Sequence, residues 1–277
     1  MVYYSMCRED VVEYVGQHPS RLAIVESLRT AVEQTSLTFL IGPFKTGKTS
    51  ITRQVFPNAL RLDPFAEDDL ERLTRMAEGK EYSPEIVIVD EAYPDGFEPE
   101  LLMELSQRTR VIGIAHPSVL DTTSEKHDLF FKGLSNYTVV KNYFWSDELM
   151  YNVCTEVLGF SDDEARDIVV LSGGLPHLIE GIRDYGTGRR EFYLSNMMDY
   201  VWVPHLRGFS DGMIEVLDEV VTGNPVPDSS SKSVLQEFEY IENNQFRAKT
   251  FLAYFKRETN REWHEELKYA VKCFQLR

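Results

Sequence analysis

Short unbroken apolar runs alternate along this chain with stretches in which apolar residues return every third or fourth position. The runs are Leu37-Thr-Phe-Leu-Ile41, Glu85-Ile-Val-Ile-Val89, Arg110-Val-Ile-Gly-Ile-Ala115 and Tyr137-Thr-Val-Val140, with Ala59-Leu-Arg-Leu62 as a shorter one. A run apolar on both faces belongs inside a parallel sheet that helices cover on either side. Between the runs the spacing predicts helices over residues 19–34, 48–56, 66–78 and 98–107. In the first of these Leu22, Val25, Leu28 and Val32 share one face, and Pro19 suits the first turn. Strands and helices in alternation predict a parallel α/β sheet with right-handed crossovers.

Beyond residue 144 the pattern changes. Residues 145–205 read as helical: Ser146 caps a run through Leu158, and Ser161-Asp-Asp-Glu164 has the spacing of a capping box. Leu171-Ser-Gly173-Gly174-Leu175-Pro176-His177 then breaks the helices. From Phe209 a third block begins, with a helix over 213–221 and a polar loop at Asn224-Pro-Val-Pro-Asp-Ser-Ser-Ser231. A helix over 234–238 leads into a hairpin turning at Asn243-Asn244. Helices over 250–257 and 261–274 close the pattern, which contains no internal repeat. The blocks divide the chain at 1–144, 145–205 and 206–277.

With 277 residues, of which 43% are hydrophobic, there is material for a sizeable core and about two domains. No apolar run reaches the ~18 residues that span a bilayer, and the first residues lack the basic-then-apolar order of a signal peptide. Cys7, Cys154 and Cys273 are scattered, which argues against a disulfide framework or zinc site. A cytoplasmic protein with no membrane partner is therefore expected. The formal charge of −16 disfavours a general nucleic-acid coat but leaves room for a local basic patch.

Candidate chemistry begins at Gly42-Pro43-Phe44-Lys45-Thr46-Gly47-Lys48-Thr49, which fits the phosphate-binding P-loop between a strand and a helix. Gly42 and Gly47 let the backbone curl so that its N–H groups converge on a phosphate, and the helix adds the positive end of its dipole. Lys48 would reach the β and γ phosphates, the Thr49 hydroxyl would hold Mg²⁺, and Ser50 lies in the same first turn. The plain alternative is a glycine turn with a surface lysine. Asp90-Glu91 follows the third apolar run, at the sheet edge where α/β folds bind ligands. Asp90 is placed to hold Mg²⁺ through its water shell, and Glu91 to orient or deprotonate an attacking water. That pair favours hydrolysis over phosphoryl transfer to a second substrate; as a bare helix cap it would do neither.

With these residues assembled, the chain resembles the AAA+ ATPases, in their archaeal-type, STAND-like branch. Four landmarks carry the likeness: Tyr14-Val15-Gly16-Gln17 ahead of a helix, Gly42 to Thr49, Ile86 to Glu91, and Gly173-Gly174-Leu175-Pro176. The resemblance implies a P-loop NTPase sheet in the order 5-1-4-3-2, a helical lid over 145–205 and a small winged-helix-like C-terminal domain. It also implies ATP and Mg²⁺ as cofactors, Val15, Gly16 and Pro176 around the nucleotide, and activation in rings or by partners. A polar sensor at the end of the fourth strand would be His116 or Ser118. No arginine precedes the fifth strand as a finger; the segment offers only Lys126 and Lys132. Nor does the lid turn carry one, Arg183 lying one to two helical turns further on.

From Ile241 onward eight basic and five acidic residues give a net +3, with aromatics interleaved. Arg247 and Lys249 on a winged helix would suit DNA phosphates; the alternative is a solvated face over a local aromatic core. Three functions stay open: an ATPase acting on DNA through residues 241–277, as an initiator or mobile-element accessory; a nucleotide-gated signalling switch binding protein or a second copy of itself; and a nucleotide-binding subunit with little turnover.

Overall fold

The computed structural model describes residues 9–92, 99–131, 133–179 and 201–259. Five strands form one wholly parallel sheet: β1 (Leu37–Ile41), β2 (Leu60–Leu62), β3 (Ile86–Val89), β4 (Arg110–Ala115) and β5 (Tyr137–Lys141). Their order is β2-β3-β4-β1-β5, the expected 5-1-4-3-2 read from the other edge. β1 therefore lies between β4 and β5, with Ile41 beside Ala115 on one side and Lys141 on the other.

Both faces of the sheet are covered, which is why its strands are apolar without alternation. Against one face pack α2 (Pro19–Gln34) and α3 (Lys48–Val55), joining Val25, Leu28, Val32 and Ile51 to Leu40, Ile88 and Ile112. Against the other lie α4 (Glu67–Ala77), α5 (Glu100–Ser106) and α6 (Glu125–Phe131), through Leu73, Met76, Leu102, Leu105 and Phe130. The stripe of α2 keeps Val25, Leu28 and Val32 of its sequence reading and differs at its first member. Leu22 is 43% exposed, whereas Arg21 is 6% exposed and aligns with Val25, Leu28 and Val32.

A second cluster joins α1 (Glu9–Gln17) to the lid helices α7 (Asp147–Asn152) and α8 (Asp162–Ser172). Tyr14-Val-Gly-Gln17 thus ends a helix of its own, and the Tyr14 hydroxyl donates to Glu156 at 2.8 Å. Both lid caps form as read: Ser146 accepts from the Leu149 N–H, and Ser161 and Glu164 complete the capping box. The run after Ser146 passes into a π-helical turn at 153–157. Cys154 is buried there, its thiol pushed up to about 12 by burial, and so is unreactive. Cys7 and Cys273 lie outside the described residues.

The third block contains α9 (Asp211–Thr222), α10 (Ser230–Glu237), the hairpin β6 (Ile241–Glu242) and β7 (Gln245–Phe246), and α11 (Lys249–Glu258). Asn243 and Asn244 both turn with positive φ, the geometry of a two-residue hairpin loop. The block shares one apolar cluster with the sheet. Asp121, just after β4, fastens it by accepting hydrogen bonds from Ser210 and Ser231. Burial alone would raise the Asp121 carboxyl; these bonds and those from Thr123 hold it below the usual range. The helix read over 261–274 lies outside the described residues.

Candidate functional site

At the end of β1 the backbone leaves the sheet so close to β5 that a Cβ on Gly42 would sit 2.1 Å from the Asn142 carbonyl oxygen. Only glycine passes there. Lys45 (φ 58°) and Gly47 (φ 85°) take left-handed conformations, and the chain enters α3 at Lys48. Inside the loop the Thr46 hydroxyl donates to the Pro43 carbonyl at 2.8 Å. Lys48 is buried, with Nζ donating to the Gly42 and Pro43 carbonyls at 2.6 and 2.7 Å. Burial pushes its amine down to about 7, against the upward pull of Asp90 and Glu91. Ser50 faces solvent on the first turn of α3.

Two strands away, β3 delivers Asp90 to the same sheet edge. The Thr49 hydroxyl donates to Asp90 Oδ2 at 3.0 Å, so the two sequence motifs meet in space. A hydroxyl and a carboxylate are two hard oxygens, a donor set that would fit Mg²⁺. Glu91 adopts φ 53°, and its N–H donates to Asp90 Oδ1 at 3.2 Å. Loss of hydration, then Asp90 and Asp63, raise its carboxyl above the ordinary range.

The double-glycine turn of the expected lid packs against Trp145 and Ala248. Gly173 (φ 56°) and Gly174 (φ 85°) reverse the chain, and the Gly174 carbonyl accepts from the Trp145 N–H at 2.9 Å. Pro176 is buried and starts the next helical stretch. His177 is pushed down to about 4 by burial and then by the charge of Lys45. Gly16 lies against α3, where a Cβ would meet Gln54 at 3.3 Å, while Val15 packs into the lid cluster.

His116 is placed differently from a residue that faces phosphate. It is fully buried, its Nδ1 paired with Ser118 Oγ at 3.1 Å and its Nε2 with the Tyr240 hydroxyl at 3.2 Å. Phe44 of the P-loop stacks on its ring at 4.9 Å. Burial, then His205 and Lys48, hold it neutral. Ser118 is consumed in the same contact. Lys126, the finger candidate, donates to the carbonyls of Arg207, Gly208 and Phe209 at 3.3–3.4 Å, where helix 201–208 ends. Lys132 and Arg183 lie outside the described residues.

Arg247 corrects the phosphate-binding expectation for the hairpin. Its guanidinium pairs with Asp147 at 2.9 Å and with Glu239, donates to the Trp145 carbonyl, and is 13% exposed. Phe246, Phe251, Tyr254 and Phe255 are core residues.

Among solved structures, the Walker-type ATPase PABY2304 of Pyrococcus abyssi superposes with a TM-score of 0.51 at 15% identity, over 85% of this chain and 95% of that one. The chain shares the fold of that Walker-type ATPase, a parallel α/β sheet with the P-loop at the end of β1. Weaker overlaps occur with the STAND protein PH0952 of Pyrococcus horikoshii (TM-score 0.41, 14% identity, 91% of this chain and 44% of that one) and AMPPCP-bound DnaA from Aquifex aeolicus (0.41, 15%, 91% and 92%). No protein-family model and no curated protein sequence matches the chain.

Four residues of this P-loop neighbourhood were missed from the sequence. Arg21 and Asn142 support the loop from behind, and Tyr240 and His205 complete the buried contact at His116. A signal for Arg21 existed: it stands four residues before Val25 on the apolar stripe. Asn142, Tyr240 and His205 carried none, because their partners are remote in sequence.

Proposed function

We propose that this chain binds ATP with Mg²⁺, hydrolyses it, and passes the nucleotide state to its C-terminal block. The Thr49–Asp90 contact at 3.0 Å, with Lys48 resting on loop carbonyls beside it, is the observation that carries the reading. The N–H groups of the loop take the phosphates, and Lys48 exchanges the Gly42 and Pro43 carbonyls for phosphate oxygens. Thr49 and Asp90 would hold Mg²⁺, which neutralises charge on the transferring phosphate. Glu91, with a raised carboxyl, orients the attacking water or takes its proton. Val15 and Gly16 on α1 and Pro176 in the lid border the rest of the nucleotide.

The test is Mg²⁺-dependent ATP turnover, with Glu91→Gln as the decisive variant. It is expected to retain ATP and slow hydrolysis by roughly 100-fold. Wild-type turnover in that variant would remove Glu91 from the mechanism, and absence of ATP binding in the unmutated protein would end the proposal.

For what the cycle drives, the buried contact beside the loop supports a nucleotide-gated switch. The Tyr240 hydroxyl, next to the hairpin, bridges His116 and His205 at 3.2 and 2.7 Å, and both rings contact Phe44 of the P-loop. A shift of Phe44 on nucleotide binding would be felt at the hairpin without crossing solvent. Tyr240→Phe should keep ATP binding and lose nucleotide-dependent changes in hydrogen exchange over residues 239–258. Action on DNA, the other reading, has lost Arg247 as a phosphate contact; ATP-dependent binding to duplex or single strands in fluorescence anisotropy would restore it.

A further inference from the structure

The first residue of the α2 stripe is an arginine, and its charged end has been carried under the P-loop. Nη1 of Arg21 donates to the Thr46 carbonyl at 3.3 Å and to Asn142 Oδ1 at 2.9 Å, while Nη2 donates to the Gly47 carbonyl at 3.0 Å. Asn142 is fully buried and donates through Nδ2 to the Thr46 hydroxyl at 2.6 Å. Its backbone N–H donates to the Ile41 carbonyl at 2.7 Å, which ties the end of β5 to the end of β1. The loop is thus gripped at Thr46 and Gly47 by side chains from α2 and from the segment after β5.

The peptide plane converts this grip into a function. In a trans peptide the C=O and the following N–H point in opposite directions. Holding the Thr46 carbonyl rearward turns the Gly47 N–H forward, and holding the Gly47 carbonyl does the same for the Lys48 N–H. Those donors lie on the concave side that receives phosphate. The Gly47 carbonyl also accepts the first helical bond, from Ile51 at 2.9 Å, so Arg21 occupies its second lone-pair direction. A Cβ at Gly47 would come 2.6 Å from Arg21 Nη2, so the glycine also makes room for the guanidinium.

We propose that Arg21, set by Asn142, is a positioning residue that aims the P-loop N–H groups at the α and β phosphates of the bound nucleotide. This rests on the ATP reading above. Because the aimed groups face phosphates common to both nucleotides, Arg21 matters equally for ATP and ADP. A lysine cannot replace it, since a point charge lacks the planar fork that spans two carbonyls and an amide oxygen.

The experiment measures ATP and ADP affinity by calorimetry for the full chain and for Arg21→Ala, Arg21→Lys and Arg29→Ala, with thermal unfolding of each in the absence of nucleotide. Arg21→Ala is expected to weaken ATP and ADP in parallel by roughly 10- to 100-fold. Arg21→Lys should recover less than half of that loss on a logarithmic scale. Millimolar ethylguanidinium should restore affinity to Arg21→Ala and leave the unmutated protein unchanged. Arg29→Ala, on the exposed face of the same helix, should bind as the unmutated protein does. Wild-type affinity in a folded Arg21→Ala or Arg21→Lys variant would overturn the proposal, as would full recovery by lysine. If Arg21→Ala does not fold, Arg21→Lys decides. Failure of the unmutated protein to bind either nucleotide would instead refute the ATP reading.

Discussion

Two cations withdrawn from solvent, Lys48 in the P-loop and Arg247 beside the hairpin, have opposite surroundings. Lys48 donates to two neutral carbonyls, and burial drives its amine down to about 7. Arg247 donates to one carbonyl but is paired directly with the carboxylates of Asp147 and Glu239. A buried charge costs free energy unless it is matched. The arginine is matched by carboxylates from within the fold; the lysine rests on neutral carbonyls, and on the proposed reading a phosphate would match it. The difference separates a residue that joins two parts of the molecule from the one that the proposed function assigns to a ligand, although both were site candidates in the sequence.

The contrast can be broken most directly at Lys48. Lys48→Ala should lower ATP affinity by roughly 100-fold or more in calorimetry, because a charge-assisted bond to phosphate is lost; unchanged affinity would mean that the loop does not hold a triphosphate. Arg247→Ala should leave ATP affinity as it is and lower unfolding free energy by about 1–2 kcal/mol, since its carboxylate partners are themselves largely hydrated. A variant that lost nucleotide affinity with its stability intact would assign Arg247 to the site.

The smallest effect is the most specific. In the folded protein burial pushes the Lys48 amine down to about 7, against an ordinary value of 10.5 for the unfolded chain. Over that window the unfolded state binds more protons, so Lys48 makes nucleotide-free stability rise with pH, and Lys48→Met should flatten that rise in denaturation curves. A phosphate bound at Lys48 would favour its charged form. ATP binding near pH 8 should therefore take up protons, measurable by calorimetry in buffers of different ionisation enthalpy. Proton release there would show that Lys48 is already charged in the empty loop.

The sheet was legible because its strands are apolar on both faces and because glycine and acid punctuate their ends. Walker-type spacing singled out Thr49 and Asp90, and the fold brings the two within 3.0 Å. The hairpin turn at Asn243-Asn244 and the cap at Ser161 were equally readable, since each is a contact among neighbours in sequence. Leu22 misled because spacing alone cannot tell which of two adjacent residues begins a stripe, and the one that did was an arginine with a buried acceptor set waiting for it.

Local order therefore determined the strands, their caps, and a loop able to curl around phosphate, because backbone sterics and periodic burial act over a few residues. Tertiary structure alone decided that Arg21 and Asn142 brace that loop, that Arg247 belongs to carboxylates, and that Tyr240 joins the hairpin to His116. Arg21 and Asn142 lie 121 positions apart in sequence, His116 and Tyr240 124, and Arg247 and Asp147 100. Whether a buried polar group is matched depends on what the folded chain carries to it, and no window of sequence contains that information.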